Sequence, residues 1–199
     1  MNPKKYFDKA ANTWDERFCT QSLSSLLEKL LPKFALKDGQ TILDVGTGTG
    51  VLIPFLVKAI GPSGTITAID YSEKMVQKCK EKYSHFKNVN IKAGNIEEDS
   101  FSPESIDVVT CFGVFPHLVS KQKALQNICQ TLKPYGKLII AHAISSEELK
   151  SHHKKVSEHV AHAVIPKKAE MIQLLEQAGF TQISIKDEPG CYLCISHKA

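Results

Sequence analysis

The chain is expected to fold as one α/β domain whose seven-stranded, mostly parallel sheet carries helices on both faces and ends in antiparallel strands. Three observations predict this. From residue 41 onward, short runs rich in β-branched residues alternate with amphipathic helical stretches, and parallel strands can be joined only through such crossovers. With 42% hydrophobic and 23% charged residues, the composition is that of a globular domain rather than a disordered chain. A length of 199 residues suits one domain with a sizeable core.

The elements follow in order. "LSSLLEKLLPKF" (23–34) repeats leucine at helical spacing until Pro32, predicting an N-terminal helix against the main domain. "TILDV" (41–45) is a strand and "VLIPFLVKAI" (51–60) a helix. Pro54 is tolerated there because its missing amide hydrogen falls in the first turn. "TITAID" (65–70) is a strand, "SEKMVQKCKEKY" (72–83) a helix, and "VNIKAG" (89–94) and "IDVVTCFG" (106–113) are strands. "KQKALQNICQTL" (121–132) is a helix; "LKPYGKL" (132–138) then turns into the strand "KLIIAHA" (137–143). A His-rich helix comes next, followed by "KKAEMIQLLEQAG" (167–179), a helix closed by its C-cap glycine. The last strands, "QISIKD" and "CYLCIS", are separated only by "EPG" (188–190), which predicts an antiparallel hairpin at one side of the sheet.

"ILDVGTGTGV" (42–51) places Gly46, Gly48 and Gly50 just beyond the first strand. In an open parallel sheet this loop faces the ligand crevice. Bare backbone lets a ligand approach the amides, and the following helix offers unpaired N–H groups. A plain strand-to-helix turn would need one glycine. A dinucleotide site needs G-x-G-x-x-G, which would put the third glycine at Val51 rather than Gly50. Asp44, two residues before the first glycine, suits the cationic ammonium of an amino acid better than a pyrophosphate.

"LDVGTGTG" resembles motif I of class I S-adenosylmethionine-dependent methyltransferases, and the resemblance covers about residues 5 to 197. It implies a Rossmann-like fold and transfer of a methyl group from S-adenosyl-L-methionine, leaving S-adenosyl-L-homocysteine. It also implies cofactor contacts from Asp44, Gly46, Thr47 and Gly48 in the loop and from Asp70 and Tyr71 after the second strand. A carboxylate such as Asp70 can accept two hydrogen bonds from a ribose diol. In "AGNIEED" (93–99) the family's usual acid is replaced by Asn95, whose oxygen can still accept from adenine, beside the amide of Ile96. In "DVVTCFGVFPHL" (107–118), Cys111, Phe112 and Gly113 depart from the N/D-P-P-Y/F pattern common among enzymes that methylate planar or amide nitrogens. Phe112 is expected at the methionine end, and Cys111 as a small buried residue. "YFDKAANTWDE" (6–16) resembles the N-terminal cap of ubiquinone and menaquinone biosynthesis methyltransferases, so Tyr6, Phe7 and Trp14 would shield the cofactor from water. On this reading residues 1–35 form the cap, 36–143 the cofactor-binding core, and 144–199 the acceptor-side helices and hairpin.

His117, just past the fourth strand, is the candidate general base or acceptor-binding group. Five of the eight histidines lie at 142, 152, 153, 159 and 162. On a helix, His152, His159 and His162 fall within about 80° of one another. With His142 they could serve as bases or hold a divalent metal, for which His142, His152 and His153 are the candidate ligands. The spacing matches no standard zinc signature. Cys191 and Cys194, three apart in a strand, point to opposite faces. Six scattered cysteines and no apolar leader point to a reducing, cytoplasmic setting. No run approaches the roughly 18 apolar residues of a membrane span. A formal charge of +4 without basic blocks does not favour nucleic acid. The leading expectation is a methyltransferase acting on a small-molecule acceptor. The competing readings are a metal- or partner-binding protein on that scaffold and an NAD-linked oxidoreductase.

Overall fold

The computed structural model describes residues 3–156 and 163–199, with backbone alone for residue 3 and residues 154–156. Its seven strands form a mixed sheet in the order β3-β2-β1-β4-β5-β7-β6, numbered along the chain as given below. By compactness the chain divides into two units, Met1–Asn95 and Ile96–Ala199.

The first unit begins with α1 (Pro3–Ala10), a 3-10 turn (Ala11–Thr13), α2 (Trp14–Phe18) and α3 (Gln21–Leu30). Thr20 caps α3 by accepting from the Leu23 amide. The leucine-rich helix ends at Leu30 rather than running on. With Pro32 unable to donate, Leu31–Phe34 tighten into a 3-10 turn. Then come β1 (Thr41–Val45), α4 (Ile53–Ile60), β2 (Thr65–Asp70), α5 (Glu73–Tyr83) and β3 (Val89–Ala93). β1 pairs with β2, and β2 with β3, all parallel. The apolar faces of these elements are buried: Leu27, Leu30 and Phe34 from the N-terminal segment, Ile42 and Leu43 from β1, and Leu56 from α4. Each such side chain contributes about 2 kcal/mol on leaving water.

The second unit holds β4 (Ile106–Phe112), α6 (Lys121–Thr131), β5 (Leu132–His142), α7 (Ser146–Val156), α8 (Lys168–Gln177), β6 (Phe180–Glu188) and β7 (Cys191–Lys198). β4 and β5 are parallel, while β7 runs antiparallel to both β5 and β6. The expected C-terminal hairpin is present, turning at Gly190 with φ +78°.

One element differs from expectation. "LKPYGKL" is no separate turn: β5 starts at Leu132, directly after α6. Ile106 pairs with Leu132 but Val108 pairs with Lys137, so the intervening residues bulge out of the ladder. Pro134 lacks a ladder donor, and Tyr135 has φ +60°. The turn-forming residues are therefore used to bulge a strand. Lys133 and Asp107 pair at 2.8 Å alongside it.

Candidate functional site

In the first unit, β1 and β2 end side by side, with Val45 in register with Ile69. The glycine loop leaves β1 there, and the Thr47 amide donates to the Ile69 carbonyl at 2.9 Å. The Gly48 amide donates to Oδ2 of Asp70 at 2.9 Å, and the Ser72 amide to Oδ1 at 2.8 Å. These two bonds lock the loop to the end of β2 and fix the carboxylate plane. A carboxylate offers about four acceptor sites, so two stay available for a diol. Burial raises the Asp70 carboxyl to about 6 against these two bonds, and the charge of Asp8 pushes the same way. Tyr71 follows directly, and Asn95 lies just past β3, where the Gly94 amide donates to the Asp70 carbonyl at 3.0 Å.

The glycines are not equivalent. A Cβ on Gly50 would stand 2.7 Å from Cys79 Sγ and from two ring carbons of Tyr83, so this glycine lets α5 pack against the loop. A Cβ on Gly48 would meet only Trp14 Nε1, at 4.0 Å. A side chain at Gly48 would therefore meet ordinary contact rather than the clash it meets at Gly50. Asp44 is buried on β1. Burial, followed by the charge of Asp44, pushes the Cys79 thiol up to about 12.

Over this loop the N-terminal residues make an aromatic cluster: Phe7 and Ala11 are buried against Met75 of α5, with Tyr6, Trp14 and Tyr71 packed around them. Two carboxylates hold the cap in place. Asp8 accepts from Ser72 Oγ at 2.6 Å, and Ser72 also caps α5 by accepting from the Met75 amide. Asp15 pairs with Lys82 at 2.7 Å and accepts from the hydroxyl of Thr49. Burial works against the Asp15 charge, but bonds from Lys82, Thr49 and Cys19 outweigh it and lower its pKa. Neither Asp8 nor Asp15 stands out in the sequence, because each acts on a residue more than 30 positions away.

In the second unit, β4 and β5 also end level, with Phe112 opposite Ala141 and the Gly113 amide donating to the Ala141 carbonyl at 2.9 Å. Phe112 closes β4 and is half-buried; Cys111, before it, is fully buried as expected. Ile96 is buried, and its carbonyl accepts from Asn127 Nδ2 of α6 at 2.8 Å. His117 ends the 3-10 turn Phe115–His117. Lys121 Nζ clamps this turn by donating to the carbonyls of Pro116 and Leu118, at 3.3 and 3.2 Å, while Glu97 accepts from the amides of Val119 and Ser120.

Three histidines converge here. The rings of His117 and His153 lie 5.1 Å apart. His142, the last residue of β5, is buried, and its Nε2 has no hydrogen-bond partner among the described residues. Burial, then the proximity of His153 and Lys121, lowers His117 to about 3; burial, then His117 and His153, does the same to His142. His153 is lowered by burial, with the Ala163 carbonyl opposing the shift. α7 reaches this place because its start is fixed by a capping box: Ser145 Oγ accepts from the Glu148 amide at 3.3 Å, and Glu148 accepts from the Ser145 amide at 2.8 Å. Glu148 also accepts from the Gly190 amide of the hairpin. The "SSEE" stretch carries the S-x-x-E signal that could have revealed this box.

The metal expectation finds no support. Among the described residues no group of three or more His, Cys, Asp or Glu is placed to hold a metal ion. His152 is exposed while His142 and His153 are buried, so the expected ligand set does not converge. His159 and His162 lie outside the described residues. Cys194 is buried and Cys191 half-buried, consistent with side chains on opposite faces.

The glycine loop, the acid ending β2 and the level strand ends together define a class of protein, and comparison with known proteins agrees. A family model described as a methyltransferase domain matches residues 36–179. The chain belongs to this family, as a class I S-adenosylmethionine-dependent methyltransferase. It is 33% identical over 112 residues to a demethylmenaquinone methyltransferase of Staphylococcus aureus, covering 56% of this chain and 46% of that protein. The chain spans less than half the length of the curated relatives it matches. A SAM-dependent methyltransferase from Aquifex aeolicus has TM-score 0.72 and 28% identity, covering 86% of this chain and 89% of that one. A phosphoethanolamine N-methyltransferase of Haemonchus contortus in complex with S-adenosyl-L-methionine shares the fold, at TM-score 0.71 and 17% identity over 89% of this chain and 52% of that one.

Proposed function

We propose that the chain transfers a methyl group from S-adenosyl-L-methionine to a small-molecule acceptor by in-line displacement. The observation that carries this reading is the Asp70 carboxylate, fixed by the Gly48 and Ser72 amides with acceptor sites left over for a ribose diol. On this reading Asp44, Gly46, Thr47 and Gly48 hold the amino acid portion, Asp70 and Tyr71 the ribose, and Asn95 with the Ile96 amide the adenine. Tyr6 closes the cap and Phe112 meets the methionine end. When bound, the cofactor supplies an electrophilic methyl group on a sulfonium. The chain's part is then to align the acceptor and exclude water. His117 is assigned as an acceptor-binding group, held in place by the Lys121 clamp on its turn.

The reading retains one methyltransferase domain with the cap at residues 1–35. A reducing, cytoplasmic setting is supported by six free cysteines, and no described helix is long and apolar enough to cross a membrane. Calorimetric titration with S-adenosyl-L-homocysteine tests the proposal. Saturable binding that weakens at least about tenfold in D70N is expected, since a hydrogen bond to a charged group contributes about 1.5–3 kcal/mol. No binding at millimolar ligand would overturn it.

A further inference from the structure

The ends of β4 and β5 carry an imidazole cluster that cofactor binding leaves unexplained. His153 Nδ1 lies 2.6 Å from the Ala163 carbonyl. A carbonyl can only accept, so Nδ1 carries the proton and the lone pair of neutral His153 is on Nε2. The ring is thereby fixed as an acceptor, and its partner His117 is 5.1 Å away between centroids. His142, 2% exposed, has a buried Nε2 without a partner among the described residues. Its register partner across the antiparallel ladder is Tyr192, whose ring stands 6.1 Å from it and whose hydroxyl is likewise buried and unpartnered among those residues. A buried polar atom left unsatisfied costs about 1–3 kcal/mol. Two on neighbouring rings indicate that a ligand completes the cluster. Lys121, the nearby cation, already donates to two carbonyls.

We propose that His117, His142 and His153 bind the methyl acceptor, that this acceptor is an uncharged small molecule presenting an O–H or N–H, and that Nε2 of His153 receives its proton. The assignment rests on the methyltransferase reading above and deepens it. Neutral, desolvated imidazoles beside an already engaged ammonium offer a carboxylate or phosphate no charge to pair with, whereas a neutral O–H or N–H finds a lone pair on Nε2. In the transfer step the acceptor oxygen or nitrogen forms a bond to the methyl carbon. The sulfur–methyl bond breaks with its electron pair remaining on sulfur, which becomes a neutral thioether. The acceptor's proton passes to Nε2 of His153, giving an imidazolium whose Nδ1–H stays on the Ala163 carbonyl. That carbonyl opposes the lowering that burial imposes on His153, and it fixes Nε2 as the nitrogen that can accept. This differs from the sequence-based choice of His117 as the base.

The test uses the full chain with ¹⁵N-labelled histidine, read by long-range proton–nitrogen spectra, with phenol as a neutral donor probe and benzoate as its anionic counterpart. Expected are an Nδ1–H tautomer for His153 and a saturable shift of its Nε2 on adding phenol, with no such shift on adding benzoate. Phenol affinity should fall at least about tenfold in H153F, one hydrogen bond's worth, and less in H153Q, which keeps an acceptor oxygen. S-adenosyl-L-homocysteine affinity should stay within about twofold in both variants, a control against misfolding. An Nε2–H tautomer, a phenol titration that moves no histidine ring, or benzoate binding as tightly as phenol would overturn the proposal. Absence of S-adenosyl-L-homocysteine binding to the unmodified chain would instead overturn the methyl-transfer step, while the phenol titration still decides the binding site.

Discussion

On the proposed reading cofactor recognition turns on Asp70, whose environment gives it a pH dependence. Its carboxyl is raised to about 6 by burial and by Asp8, against the amides of Ser72 and Gly48. Below that pH it takes up a proton and loses acceptor capacity toward a diol. S-adenosyl-L-homocysteine affinity is therefore expected to fall as pH drops from 7.5 to 5, with a midpoint near 6. D8N should move that midpoint downward, since it removes a neighbouring negative charge; calorimetry across this range measures both. The glycines make a second test at this scale. G50A meets Cys79 and Tyr83 at 2.7 Å with φ +90°, and should lose about 2 kcal/mol of stability in urea unfolding. G48A has no such clash, but its φ of +56° strains any side chain, so it should cost less stability than G50A, about 1 kcal/mol, and weaken cofactor binding. The sequence shows all three as one pattern. Only the packing of α5 separates the glycine where a Cβ would strike a helix from the one where it would not.

Among the elements, α5 is the anchor of the cap. Ser72 both caps the helix and donates to Asp8, so one hydroxyl serves helix start and cap docking. S72A is expected to cost about 1 kcal/mol through the lost cap and to speed amide exchange in Pro3–Phe18 relative to β1 and β2. Equal exchange in the two proteins would show that Asp8 does not hold the cap. D15N, which weakens the pairing with Lys82, should act in the same direction. These links were not legible beforehand because they join distant positions, whereas α4, α5 and the C-terminal hairpin follow local periodicity and turn chemistry. The bulge in β5 shows the limit of local signals: Pro134 and Gly136 mark a break in either case, and only pairing with β4 decides that the strand continues around it.

For the molecule as a whole, neutral histidines held out of water, His142 buried and His117 half-buried, set the acid limit. His117 and His142 are lowered from 6.5 to about 3, so between these values the unfolded chain binds more protons than the native one. Stability rises with pH wherever that holds: it is complete above about 6.5 and is lost progressively toward about 3. Asp70, raised from 3.8 to about 6, opposes this between those two values, but one carboxyl with a smaller shift does not offset two histidines. The melting temperature should fall between pH 7.5 and 5, and H117Q should flatten that slope when followed by circular dichroism. By itself, the sequence determined the strand–helix alternation, the glycine loop with its flanking acids, and the family. Those signals lie in short stretches where backbone geometry and hydrophobic period act locally. Tertiary structure alone decided which glycine lets α5 pack close, which carboxylates hold the N-terminal helices, and which ring nitrogen of His153 faces a carbonyl. Each depends on an atom brought close from elsewhere in the chain, and no local pattern records that distance.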